Sequence, residues 1–111
     1  MRSIRQTIPA TATGAQDYIL LDPYISPFSV NSYIEIPGGT TASLTVHTTI
    51  DDVQDTSVTP VWVADATYGT VTSSKGASYS LPITAVRVTV GSISGGPVYF
   101  TVLQAGRVGY V

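Results

Sequence analysis

The stretch Phe28-Ser-Val-Asn-Ser-Tyr-Ile-Glu-Ile36 decides the fold. Phe28, Val30, Ile34 and Ile36 fall on one side of an extended chain, with Ser29, Asn31, Tyr33 and Glu35 on the other. A repeat of two is the period of a half-buried strand, whereas an amphipathic helix repeats every 3.6 residues. Pro37, Gly38, Gly39 and Thr40 then supply turn residues. Alternation resumes over residues 42–50, where Leu44, Val46, Thr48 and Ile50 face one way. The two runs together read as a hairpin.

Working outward, residues 60–64 hold Val61, Trp62 and Val63 in a short run, either buried on both faces or placed at a sheet edge beside Pro60. Residues 65–80 are rich in Gly, Thr and Ser, with Tyr68, Val71 and Tyr79 as anchors, and read as a loop with one weak strand. Residues 83–90 alternate Val86, Val88 and Val90 against Ala85, Arg87 and Thr89. Residues 98–104 alternate Val98, Phe100 and Val102 against Tyr99, Thr101 and Leu103. The link Gly91-Ser-Ile-Ser-Gly-Gly-Pro97 suits a hairpin loop. Apolar residues on both faces of the last run imply a sheet covered on both sides, the second cover being another subunit. Six to eight short strands, with a turn signal about every ten residues, give an all-β fold: an antiparallel β-sandwich or jelly roll. Upstream, residues 1–17 show no sustained period and read as an extended N-terminal arm, leaving 18–111 as the β-sandwich domain.

Composition narrows the function. The 111 residues fit one domain. Only 11% are charged, against about 25% in an average soluble domain. A surface so poor in charge is weakly protected from association, so much of it is expected to be covered by partners. Five Lys and Arg against seven Asp and Glu provide no basic stripe for nucleic acid. No apolar run approaches the ~20 residues needed to span a bilayer, and Arg2 and Arg5 are not followed by the apolar stretch of a secretory signal. With no cysteine, disulfides, thiolate metal sites and thiol nucleophiles are all excluded.

Little in the chain points to catalysis, which needs a nucleophile with a base, a paired acid and base, or a metal cluster. The sole histidine, His47, falls on the polar side of its run beside Thr45 and Thr49, without an orienting carboxylate. Asp51, Asp52 and Asp55 could hold calcium. They lack EF-hand spacing, however, and read more simply as turn formers that bond their own backbone. The Gly38-Gly39 and Gly95-Gly96 pairs lack the lysine and following helix of a phosphate cradle. Trp62, Tyr68 and Tyr79 could form an aromatic platform for a sugar, although a tryptophan within a valine run reads first as core. No catalytic residue, metal or cofactor is expected.

Several stretches resemble a known family. Asp22-Pro-Tyr-Ile-Ser-Pro-Phe-Ser-Val30, Val46-His-Thr-Thr-Ile-Asp-Asp-Val53, Pro60-Val-Trp62, Pro82-Ile-Thr-Ala-Val-Arg-Val88 and Thr101-Val-Leu-Gln-Ala-Gly106 resemble small virion structural proteins of tailed bacteriophages. The likeness spans residues 21–106 and is carried by strand and turn residues rather than by a site motif. It implies a capsid decoration, or cement, protein: a β-sandwich or jelly roll that sits as a homotrimer on the outside of the head, contacting the major capsid protein or another virion protein. Such a protein would be made in the host bacterial cytoplasm. The same likeness suits a tail, neck or fibre component, and a glycan-binding β-sandwich module stands as the other alternative. The contacts expected on this reading are the arm, through Ile4, Arg5 and Ile8, and the apolar end around Val108, Tyr110 and Val111, each pairing with a neighbour's strand edge.

Overall fold

The computed structural model describes residues 3–24 and 28–105. The period-two runs are strands whose apolar faces meet. Strand β4 (Ser29–Glu35) buries Val30, Ser32 and Ile34. Strand β5 (Thr41–Thr49) buries Ala42, Leu44 and Val46; β9 (Ala85–Ser94) buries Val86, Val88 and Val90; β10 (Val98–Ala105) buries Val98, Phe100 and Val102. Each fully buried Val, Leu, Ile or Phe side chain is worth roughly 1.5–3 kcal/mol relative to exposure. These inner faces therefore hold the molecule together as an antiparallel β-sandwich.

One sheet has four strands in the order β1 (Ile4–Ile8), β10, β4 and β8 (Lys75–Tyr79). The other is built on β5 and β9, paired from Thr41↔Ser94 to Thr49↔Ala85 with a bulge at Ser43/Leu44. Short β2 (Gly14–Ala15) and β3 (Ile19–Leu20) flank β9. Short β6 (Val63–Ala64) and β7 (Thr70–Val71) flank β5.

Neither expected hairpin forms. β4 and β5 lie in different sheets, as do β9 and β10. Each pair is an arch over the core rather than a ladder, and an arch and a hairpin share one binary pattern because both turn an apolar face inward. The glycine pairs serve the arches by letting them pack together. Thr40 N donates to Pro37 O at 3.1 Å to close one bend. Gly95, at φ +87°, approaches it so closely that a Cβ there would stand 2.2 Å from Gly39 O. Only glycine meets both demands.

The chain does not divide at residue 17. Ile4–Ile8 pairs with β10 of its own sheet, from Ile4↔Val102 to Ile8↔Val98, and Ile8 is fully buried in the core. The expected free arm is an edge strand that closes one side of the sandwich. Propensity and period could not reveal this, since a five-residue edge needs only one buried side chain. The 65–80 region carries two strands, β7 and β8, rather than one. Its Tyr68 is fully buried and shares a 2.6 Å hydrogen bond with Ser32 Oγ. Gln104, 1% exposed, clasps the crossing between sheets by accepting from Asp22 N at 2.8 Å and donating to Asp22 O at 2.7 Å.

Candidate functional site

The residues expected to make contacts divide on inspection. Ile8 has no exposed surface, so it cannot dock on a neighbour. Arg5 donates to Glu35 Oε1 at 3.2 Å and lies 4.2 Å above the Tyr99 ring. Its charge is engaged on its own sheet. Ile4 is 41% exposed at the start of the edge strand. Val108, Tyr110 and Val111 lie outside the described residues.

His47 sits on the outer face of the β5·β9 pair, opposite Arg87 and Ala64. Its Nδ1 shares a 3.1 Å hydrogen bond with Thr89 Oγ1. Partial burial, and then the Arg87 cation beside it, hold its pKa below the ordinary 6.5. The arrangement favours neutral imidazole and gives it no carboxylate partner. Asp52 and Asp55 act as turn formers, whereas Asp51 ties its bend to a more distant stretch of chain. Asp51 Oδ2 accepts from Val61 N, Asp52 Oδ1 from Gln54 N, and Asp55 Oδ1 from both Ser57 N and Ser57 Oγ. The Ser57 contacts lower the Asp55 pKa. Among the described residues, no group of three or more His, Cys, Asp or Glu side chains lies close enough to share a metal ion.

The three aromatics do not form a platform. Tyr68 is internal. Tyr79 donates its hydroxyl to Asp65 Oδ2, and burial, with that carboxylate, pushes its pKa upward. Trp62 is half-buried on the outer face of the six-stranded sheet and is not part of the core. Arg87 stacks on one face of its indole at 4.2 Å, and Tyr18 lies tilted beside it at 6.3 Å. Trp62 precedes the short edge strand β6 and lies against Arg87 on the outside of the sheet, which is why the core expectation for Trp62 fails.

A different feature emerges at one end of the sandwich. Ile50 is 75% exposed, although the alternation assigns it inward beside Leu44 and Val46. The strand ends at Thr49, where Thr84 turns the chain by donating its hydroxyl to Thr49 O at 3.0 Å and also to Asp51 O. Ile50 consequently stands between two adjoining depressions. One, of about 330 Å³, is lined by Ile50, Val61 and Val63; the other, of about 300 Å³, by Ile50, Leu20 and Tyr24. Tyr24 is 92% exposed and Val61 68%. The five side chains form an apolar strip assembled from three separate stretches of chain, residues 20–24, Ile50 and residues 61–63, with no local signature in the sequence. The last strand, expected to be covered on both sides, leaves Leu103 exposed on its outer face.

No protein-family model matches the chain, and no curated protein does. Among solved structures, the chain is similar to one from Bacillus endospore appendages, which form a family of disulfide-linked pili. The TM-score is 0.41 at 15% identity, over 96% of this chain and 89% of that one. A likeness at this level carries no functional argument, and the chain has no cysteine with which to form a disulfide.

Proposed function

We propose that the chain is a non-enzymatic structural subunit that acts by binding other proteins in an assembled extracellular particle, specifically as a decoration subunit on the head of a tailed bacteriophage. The observation that carries this reading is the apolar strip around Ile50. Leu20, Tyr24, Val61 and Val63 are exposed beside it in a chain with only 11% charged residues. Contiguous exposed apolar surface in so weakly charged a protein favours burial against a partner. The strip serves first for association with copies of the same chain, as a trimer, and the assembled unit then seats on the capsid lattice. Mechanistically this needs only differential affinity: a subunit that binds the assembled shell better than free capsid protein stabilises the shell by mass action. The resemblance across residues 21–106 supports the virion setting.

The test is location. Immunogold labelling and peptide mass spectrometry of particles purified from the producing culture should find the protein on heads in stoichiometric amount. Labelling confined to tails would reject the decoration role, and absence from particles would reject the virion setting.

A further inference from the structure

The two depressions beside Ile50 are rimmed by acid. Asp51 lines one and Asp52 the other, and no Lys, Arg or His side chain lines either among the described residues. Two such strips laid face to face would set carboxylate against carboxylate. Identical patches also close a two-fold pair, whereas a closed ring of three joins unlike patches. In a trimer the strip of one copy therefore meets a different surface of the next, one that offers apolar cover and a cation. Among the described residues, Arg5 is held by Glu35, and Lys75, opposite the buried Ile34, donates to Tyr68 O at 3.2 Å. Arg87 has neither an ion pair nor a hydrogen bond among those residues, and its guanidinium lies 4.2 Å from the centre of the Trp62 ring. Tyr18, 42% exposed, stands beside that ring. Nε of Arg87 is enclosed, while the terminal nitrogens remain open and form a fork that takes a carboxylate end-on. Trp, Tyr and Arg are the side chains that most often anchor interfaces, and the stack on Trp62 fixes the fork before a partner arrives.

We infer that the strip of one copy docks on the Arg87/Trp62 face of the next, with Asp52 paired to Arg87 and Ile50 set against the Trp62 and Tyr18 rings. This pairing rests on the assembly reading of the strip and names the surface that it meets. A second copy is the occupant because the chain carries both halves of the contact: an apolar strip with an acidic rim, and an aromatic face with an unpaired cation. Their placement suits a ring. The strip stands at the end of the sandwich where β5 stops, and Arg87, in the third position of β9, lies on the outer face just inside that end. Patches at opposite ends would repeat as a fibre, whereas patches that meet at a corner turn each copy against the last and let the ring close.

Size exclusion with light scattering on the full chain, with urea midpoints to confirm folding, tests the pairing. Arg87→Glu and Asp52→Lys should each run as a monomer at a concentration where the wild-type chain is oligomeric, and Asp52→Lys combined with Arg87→Glu should recover the wild-type mass. If either reversal unfolds the chain, Arg87→Gln and Asp52→Asn should each raise the apparent Kd for assembly at least about tenfold. Wild-type mass in Arg87→Glu, alongside dissociation of the Ile50→Lys/Val61→Lys variant, would keep the strip as an assembly surface and overturn its pairing with Arg87. Tighter association in Asp52→Lys would show that strips meet one another, which also overturns it. A wild-type chain that stays monomeric would overturn both this pairing and the assembly reading.

Discussion

The guanidinium of Arg87 lies 4.2 Å from the centre of the Trp62 ring. This contact joins the start of β9 to the chain just before β6 and makes the chain's single tryptophan an outer cover rather than a core residue. Exposed or half-exposed cation–π pairs contribute about 0.5–1 kcal/mol, whereas deleting a buried aromatic costs roughly 3–5 kcal/mol. Trp62→Ala should therefore cost only about 1–2 kcal/mol, including lost packing, while Phe100→Ala should cost about 3–5 kcal/mol. Urea-unfolding midpoints of the two variants, measured side by side, check the contrast.

Burial of His47, and then the same cation, sets a pH dependence. Burial and Arg87 lower the His47 pKa from 6.5. Between that value and the folded one, the unfolded chain binds a proton that the folded chain does not, so stability rises with pH across the window. It is fully present above about pH 6.5 and is lost as pH falls toward the folded pKa. NMR titration of the His47 ring should give a midpoint below 6.5, and His47→Gln should flatten the stability profile just below pH 6.5.

Gly95 and Gly39 make a third case, because their arches touch where a side chain has no room. Gly95→Ala faces both a positive φ and a 2.2 Å approach to Gly39 O, and should cost roughly 2–4 kcal/mol. Gly38→Ala, with no atom within 4 Å of its Cβ position and no positive φ, should change stability by less than about 0.5 kcal/mol. Thermal melts of the pair measure it.

The arrangement of alternating runs was legible in the sequence as far as it concerned faces, and silent where it concerned partners. Val30, Ile34, Leu44, Val46, Val86, Val88, Val98, Phe100 and Val102 are where period two puts them, since each needs only its own neighbours to declare a side. Which strand lies next to which is a long-range choice. Phe28–Ile36 and residues 42–50 could be an arch or a hairpin with identical patterning, and the sheets chose the arch. Ile50 misled for a related reason: alternation continues on paper past Thr49, while the strand is stopped by hydrogen bonds from Thr84, 35 residues away. The apolar strip was invisible because it joins residues from three separate stretches of chain.

Residues 1–16 offer a further check, since β1 closes the sheet against β10 and Ile8 fills the core. Ile8→Ala should cost about 2–5 kcal/mol. Deleting residues 1–16 removes the strand as well and should abolish cooperative unfolding or lower the melting temperature by more than the point variant does. Circular dichroism melts decide it; a truncated chain that melts like the full one would show that β1 contributes nothing.

The central claim is that the strip around Ile50 is an assembly surface, and light scattering coupled to size exclusion, between about 1 and 100 µM, measures it most directly. The wild-type chain should run well above its 11.6 kDa monomer mass, approaching a trimer as concentration rises. The Ile50→Lys/Val61→Lys variant should run as a monomer with an unchanged urea midpoint, because both side chains are exposed. A wild-type chain that stays monomeric throughout this range, or a double variant that keeps the wild-type mass, would contradict the account.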